Sequence, residues 1–338
     1  MPRLYIATNG LSVWYSDDCG ETLVRMQSQT GLYSGSQVWA LASSAPSPKV
    51  VLAGTETGLY RLDPAQGAWS HIPSLMDGRL ITAIAFAPQD PSVIFVGTQP
   101  AGLFRSDDGG RNWTDLQVPM KPYVALRFID GRAVVGTQNE ARPVRHWTRV
   151  TQIVFDADDP LLVFASVEVD HLWRSTDGGR TWSQHSNGLQ SADIHGVSIV
   201  EHGGRTVFAS SNAGLHVSRD DGSTWAFQRI DSPWQYVRAI VARSDRSGVL
   251  FATNGNGAPG TEGRLYRSRD FGVTWENAGL PGQIQSSLYF IACDRNDPTL
   301  LFASTSLGQF YRSLDGGETW LELPRRLGEI RALHLAPT

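Results

Sequence analysis

The chain has 338 residues, of which 41% are hydrophobic and 10% aromatic, including 11 Trp, whereas only 18% are charged. This composition can form a large apolar core and excludes a disordered chain. The formal net charge of −4 and the absence of a Lys/Arg run argue against nucleic acid or anionic lipid as a partner.

The first residues, from Met1 to Thr8, form a strand-like run without the apolar segment of a signal peptide. No stretch of about 18 apolar residues occurs, so we expect no membrane insertion. As written, the chain is expected to be cytoplasmic, although a trimmed leader would leave the same sequence. Cys19 and Cys293 match neither a disulfide framework nor a zinc site.

A repeat runs through the chain from residue 16 onward. The pattern Ser-x-Asp-x-Gly-x-Thr-Trp or a close variant occurs six times, with its aspartate at Asp18, Asp108, Asp177, Asp220, Asp270 and Asp315. Two eroded units end at Trp69 and Trp147. The eight anchor positions lie 34 to 50 residues apart, which is the length of one four-stranded propeller blade.

Each unit is predicted to contain four strands. A turn joins the inner strand to the second strand, a loop joins the second to the third, and a short outer strand follows the repeated turn. In the repeated turn, the Ser and Asp side chains can accept backbone N–H bonds while Gly supplies a positive φ. Six copies of one turn cannot each be an active site, so we interpret these aspartates as structural.

The sequence therefore predicts an all-β fold, a single β-propeller over residues 1–338 with eight four-stranded blades. The segment from Pro122 to Val150 is short for a blade, so seven blades plus a rudimentary one is the alternative. The run from Ile330 to Pro337 resembles the first strand of the other units. We expect it to complete the first blade and close the ring.

The turns resemble the Asp-box, or bacterial-neuraminidase repeat, along essentially the whole chain. That resemblance implies a propeller but no single activity, because the box occurs in sialidases, xyloglucan-cleaving glycoside hydrolases, sortilin-type receptors and a photosystem II assembly factor. The Arg-Ile-Pro motif typical of sialidases is absent. Xyloglucanases of this kind use two propellers with a cleft between them.

Aligning the inner strands places one residue from each unit around the mouth of the pore: Trp39, Thr82, Val124, Gln152, His195, Arg238, Tyr289 and Arg331. Arg238, Arg331 and His195 suit a carboxylate or another anion, and Trp39, Trp234 and Tyr236 offer stacking surfaces. A polar pore lined by solvated side chains is the alternative.

Glycosidic cleavage needs two nearby carboxylates, and Glu140 and Glu168 follow second strands in neighbouring units. They are weak candidates, because glutamates in exposed loops are usually only solvated. Glu168, Asp170 and His171 lack an established metal spacing, so we expect no metal. Gly255, Gly257 and Gly260 have dinucleotide-motif spacing but precede a strand, so we expect no cofactor.

The preferred hypothesis is a non-catalytic binding or assembly scaffold, a monomer that holds a protein segment or a small anionic or carbohydrate ligand at the pore mouth. The alternative is a glycoside hydrolase or lyase that uses loop carboxylates on the same face.

Overall fold

The computed structural model describes residues 2–44, 50–129, 132–135 and 144–336. Within these ranges the regular elements are β-strands, apart from one turn of 3-10 helix at Ser28–Thr30. The strands form eight antiparallel sheets, seven with four strands and one with three. None of the elements described is a helix long and apolar enough to cross a membrane.

The first three blades follow the order of the chain, with the innermost strand of blade 1 supplied by the C-terminus. Their strands are β1 (Arg3–Thr8), β2 (Val13–Ser16) and β3 (Val24–Arg25) in blade 1; β4 (Val38–Ser43), β5 (Val51–Thr55), β6 (Gly58–Asp63) and β7 (Ala68–Ile72) in blade 2; and β8 (Leu80–Phe86), β9 (Ile94–Gln99), β10 (Leu103–Ser106) and β11 (Thr114–Asp115) in blade 3.

The three-stranded sheet comes next, formed by β12 (Tyr123–Ile129), β13 (Arg132–Val135) and β14 (Val144–Trp147). Blades 4 and 5 follow, with strands β15 (Arg149–Phe155), β16 (Val163–Glu168), β17 (Leu172–Ser175), β18 (Ser183–His185), β19 (Ile194–Glu201), β20 (Arg205–Ser211), β21 (Gly214–Ser218) and β22 (Ala226–Gln228).

Blades 6 and 7 complete the chain together with the closing strand. Their strands are β23 (Tyr236–Ala242), β24 (Leu250–Gly255), β25 (Gly263–Ser268), β26 (Glu276–Asn277), β27 (Leu288–Cys293), β28 (Leu301–Thr305), β29 (Phe310–Ser313) and β30 (Leu321–Leu323), followed by β31 (Ile330–Ala336). The second strand of a blade is apolar and buried, as in Val51–Thr55, because neighbouring sheets cover both of its faces.

The ring has seven blades, because blade 3 packs directly on blade 4. Thr82 Oγ1 on β8 donates a hydrogen bond of 2.6 Å to the Val150 carbonyl on β15. A Cβ atom on Gly97 would lie only 2.5 Å from the Val150 side chain. The sheet β12–β14 therefore stands outside the ring, and its two ends meet where the Thr148 N–H donates to the Pro122 carbonyl at 3.2 Å.

The prediction of eight blades was thus wrong, and the alternative of seven blades plus a rudimentary unit is confirmed. Trp147, the anchor of the supposed extra blade, ends β14, and β15 of the next blade begins two residues later. Only Thr148 lies between β14 and β15. Val124, expected in the pore ring, lies on β12 of the extra sheet.

The closing strand confirms the expectation for the C-terminus. Strand β31 pairs antiparallel with β1, with Tyr5 opposite His334 and Leu4 opposite Leu335. This pairing covers the edge that β1 would otherwise expose. Arg312 on blade 7 adds a second link to blade 1, since its Nη1 donates to the Cys19 carbonyl at 2.9 Å.

The six repeated turns share one hydrogen-bond pattern, seen for example at Ser175, Asp177 and Thr181. The serine hydroxyl accepts the N–H of Gly179 at 2.8 Å and donates to Asp177 Oδ1 at 2.7 Å. The same carboxylate accepts the Thr181 N–H at 2.9 Å and its hydroxyl at 2.6 Å. Both oxygens of the carboxylate thus accept hydrogen bonds within their own turn, which supports a structural role for Asp177.

Five of these six turns also pack on the preceding blade through a glycine; the exception is the turn of blade 3. Gly317 has φ +86°, and a Cβ atom there would lie 2.2 Å from the ring of buried Phe251. A Cβ atom on Gly179 would likewise lie 2.3 Å from the ring of Phe95. Glycine is therefore required both for the left-handed backbone and for the close approach of neighbouring blades.

Candidate functional site

A β-bulge interrupts the innermost strand of every blade at the same level, near the start of the strand. The register between the first two strands shifts by one residue at this point in all seven blades. The bulges contain Arg331, Trp39, Thr82, Thr151, His195, Arg238 and Tyr289 in blades 1 to 7. We call this end of the pore the pore mouth; bulges commonly re-aim side chains beside binding sites.

Several bulge side chains reach to the next blade of the ring. Thr151 Oγ1 donates to the Ile194 carbonyl at 2.9 Å, and His195 Nδ1 lies 2.8 Å from the Val237 carbonyl. These contacts fix the bulges relative to one another, so the pore mouth is a rigid ring rather than a set of independent loops.

Six of the predicted ring residues occupy bulges, but Gln152 does not. The bulge of blade 4 holds Thr151, one residue earlier, because Gln152 resumes the regular pairing opposite Ser166. The Gln152 amide oxygen instead accepts the Val197 N–H at 2.7 Å. Gln152 also lines a cavity of about 410 Å³ at the opposite end of the pore, between blades 4, 5 and 6.

Two arginines contact the ring of Trp39. The guanidinium of Arg331 lies 3.8 Å from the ring centre, and that of Arg149, the first residue of β15, lies 4.9 Å away. Arg149 belongs to blade 4 and Trp39 to blade 2, so this contact reaches past blade 3. Burial lowers the pKa of Arg149 and of Arg331. The positive charge of Arg238 lowers both values further, and Arg149 also lowers that of Arg331.

Two carboxylates lie among these arginines. Glu168, at the end of β16, receives two contacts from Arg149, with Nε 2.5 Å from Oε2 and Nη2 3.2 Å from Oε1. Asp193 precedes β19 and lies 3.4 Å from His195 Nε2. Burial alone would raise the pKa of Asp193, but His195, Arg238 and Arg149 outweigh burial and lower it, so this carboxylate is ionised at neutral pH.

Arg238 lies against Tyr289, with its guanidinium 5.0 Å from the centre of the ring. Burial opposes the charge on Arg238, yet Tyr236, Glu168, Tyr289 and Asp193 together raise its pKa. The ring of Tyr236 lies 5.0 Å from that of His195. Tyr236, Arg238 and His195 therefore belong to one cluster with the two carboxylates.

The remaining predicted site residues are placed differently. Trp234 contacts Arg264 on β25, the third strand of blade 6, at 5.3 Å. Asp170 is buried, where its carboxylate accepts the Lys121 N–H at 3.0 Å and so fixes the segment before the extra sheet. Glu140 lies outside the described residues. Among the residues described, no group of three His, Cys, Asp or Glu side chains could hold a metal ion.

The loops around the pore mouth carry exposed apolar side chains. Tyr33, between β3 and β4, is 69% exposed, and Trp147, just before β15, is 48% exposed. Gln99, the last residue of β9, donates to the Trp147 carbonyl at 3.3 Å, which places Trp147 on this face. Exposed aromatic rings beside a polar cluster are typical of a ligand-binding surface.

Sequence reasoning missed Arg149 and Asp193. Both lie at or just before the beginning of an innermost strand, where the repeat has no fixed pattern. An available signal was the Asp193-Ile194-His195 run, which places an acid two residues before a bulge histidine. No signal in the sequence shows that the bulge of blade 4 holds Thr151 and not Gln152, because a bulge changes the register without changing the apolar pattern.

Comparisons with known proteins agree with this fold. No protein-family profile matches the chain. A xyloglucanase of Paenibacillus sp is 24% identical over 79% of this chain and 29% of its own length, and a xyloglucanase of Hypocrea jecorina (strain QM6a) is 26% identical over 78% and 35%. Mouse sortilin is 21% identical over 68% of this chain and 31% of its own. The chain thus spans about a third of these relatives.

Among solved structures, the GH74 enzyme of Niastella koreensis superposes with a TM-score of 0.62 at 20% identity, covering 84% of this chain and 45% of that one. YCF48 from Cyanidioschyzon merolae gives a TM-score of 0.55 at 15% identity, covering 86% of this chain and 85% of that one. These similarities show the propeller fold.

The relatives correct the preferred functional hypothesis. A non-catalytic scaffold was expected, yet the relatives of highest similarity described above are two xyloglucanases, and a GH74 enzyme shares the fold. The finding points instead to the alternative, a glycoside hydrolase. The missing Arg-Ile-Pro motif argues against a sialidase and against no other activity.

Proposed function

We propose that this propeller acts on a polysaccharide as a glycoside hydrolase, with its site at the pore mouth. The observation that carries the proposal is the pair of carboxylates, Asp193 and Glu168, within one cluster of arginines and aromatic rings. Glycosidic cleavage by the common mechanisms uses two such groups, one ionised and one that donates a proton.

Asp193 suits the role of the ionised carboxylate. His195, Arg238 and Arg149 hold its pKa below the usual value, so it can act as nucleophile or general base at neutral pH. Glu168 is the second carboxylate that the cluster offers, and we propose that it acts in the reaction together with Asp193. Its contacts with Arg149 orient it at the end of β16.

The surrounding surface supports a sugar chain as the ligand. Tyr33 and Trp147 extend the site outward from the pore mouth as exposed aromatic rings. Such rings can pack against sugar faces while the polar cluster binds the hydroxyl groups. Because the relatives are named xyloglucanases, xyloglucan is the first substrate to test.

The experiment measures reducing ends released from xyloglucan and from a panel of other polysaccharides. Asp193→Asn and Glu168→Gln should each lower the rate about 100-fold or more, because each removes a group that acts in the reaction. The matched control is Asp90→Asn, an exposed carboxylate in the turn between β8 and β9 at the opposite end of the blade. Full activity of Asp193→Asn, or no cleavage by the unchanged chain, would overturn the proposal.

A further inference from the structure

Arg238 makes no direct ion pair with a described carboxylate, although Glu168 and Asp193 lie near enough to raise its pKa. Within the described part of the chain, no carboxylate oxygen lies within 4.0 Å of its guanidinium nitrogens, and its contact is with the face of Tyr289. The two neighbouring arginines differ in this respect. Arg149 pairs with Glu168, and Arg331 pairs with Glu329.

Among the described residues, three further polar atoms of the pore mouth are buried without a hydrogen-bond partner. Two of them are donors, Arg331 Nε and Trp39 Nε1, and one is an acceptor, Asp193 Oδ1. Buried polar groups of this kind usually have a hydrogen-bond partner. A ligand that supplies both acceptors and at least one donor would satisfy all three atoms.

A sugar that carries a carboxylate meets these requirements. Its carboxylate can accept two parallel hydrogen bonds from an arginine, which is the geometry that guanidinium groups favour. Its hydroxyl groups can donate to Asp193 and accept from Trp39. An acidic peptide fits less well, because an aspartate or glutamate side chain brings a carboxylate without the neighbouring hydroxyl groups that could donate to Asp193.

We propose that Arg238 forms a carboxylate subsite, so that the glycan bound at the pore mouth contains an acidic sugar. This inference rests on the proposed function and narrows it to a substrate class. The unpaired arginine selects the acid, whereas Trp39 and Asp193 contact the hydroxyl groups of the same ring.

The test compares an oligogalacturonide with its methyl ester, which removes the negative charge and adds one methyl group per sugar, by isothermal titration calorimetry with the full chain. We expect the acid to bind at least tenfold more tightly, a difference of about 1.4 kcal/mol. In Arg238→Gln the two affinities should converge, and Arg238→Lys should retain part of the preference because it keeps the charge. Sialyllactose serves as a second acidic ligand, and a preference for either acid over a neutral sugar supports the subsite.

The control is Arg295→Gln, an exposed arginine in the turn after β27, at the opposite end of blade 7, which should keep the full preference. Melting curves check that each variant is folded. Equal affinity for acid and ester, or an unchanged preference in folded Arg238→Gln, would contradict the subsite. Cleavage of xyloglucan without any preference for acids would likewise overturn the subsite while leaving the proposed hydrolase activity intact.

Discussion

The guanidinium of Arg331 lies 3.8 Å from the centre of the Trp39 ring, so the last strand of the chain contacts the first strand of blade 2 at the pore mouth. Arg331 is on β31, which closes the ring against β1. Closing the ring therefore also completes the candidate site. A closed ring with seven fixed bulges holds the cluster of charges in place before any ligand arrives.

Replacing Arg331 tests whether its contact with Trp39 contributes to ligand binding independently of closure of the ring. Arg331→Gln should weaken binding of xyloglucan oligosaccharides about tenfold, because a partly buried cation–π contact that positions Trp39 contributes about 1–2 kcal/mol. The urea midpoint should change little, since the backbone pairing of β31 with β1 remains. Arg180→Gln, in the exposed turn after β17, is the control for loss of one positive charge. A large loss of stability with unchanged affinity would contradict the prediction.

Excising residues 123–147 tests the number of blades. Because the Thr148 N–H donates to the Pro122 carbonyl, the two cut ends already meet. Joining them through a short glycine linker should leave a folded ring with a melting temperature within a few degrees of that of the full chain. Circular dichroism and size-exclusion chromatography provide the measurement. Failure to fold would indicate that the extra sheet is a necessary part of the ring.

Alanine substitutions at two glycines with positive φ distinguish the cost of backbone strain from the cost of a clash between blades. Gly317→Ala should cost about 2–4 kcal/mol, because it combines left-handed strain with a clash against Phe251. Gly67→Ala should cost about 1–2 kcal/mol, since Gly67 has φ +63° and no atom near its hypothetical Cβ. Urea denaturation of both variants gives the comparison. Equal losses would mean that the contact with Phe251 is unimportant.

Stability should fall as the pH decreases from about 6.5 to 4, because of two buried histidines. Burial lowers the pKa of His216 and of His334 to about 4, so the unfolded chain binds protons that the folded chain does not. The stabilisation is complete above the unfolded pKa, and we expect about 1–2 kcal/mol to be lost per histidine. His334→Gln, which can keep the hydrogen bond to Ser43, should reduce the difference in urea midpoint between pH 7 and pH 5. Identical midpoints at the two pH values would refute this explanation.

A second loss of folding stability, caused by protonation of the aspartates in the repeated turns, should follow at lower pH. Hydrogen bonds from Thr22 and Ser16 lower the pKa of Asp18 to about 2, and those from Thr224 and Ser218 do the same for Asp220. Their stabilising contribution is present above the unfolded pKa of about 4 and disappears as the pH falls through 2. Thermal melts between pH 5 and pH 2 measure this step, and a constant melting temperature would contradict it.

The closing strand and the repeated turns could be predicted from the sequence because both depend on local patterns. The number of blades could not, because the 34 residues from Trp113 to Trp147 resemble a short repeat. The contacts of Val150 with Gly97 and Thr82 show that blade 3 meets blade 4 directly. At the site, aligning the strands identified six bulge residues, whereas Arg149 and Asp193 depend on how the chain enters each blade.

Hydrogen exchange with and without saturating xyloglucan oligosaccharide tests the location of the site most directly. We predict slower amide exchange at the bulges, especially at Trp39, His195 and Arg238, with no change in the repeated turns at the other end of the blades. Protection confined to the cavity at the opposite end of the pore, around Asp158 and Arg246, would contradict a site at the pore mouth.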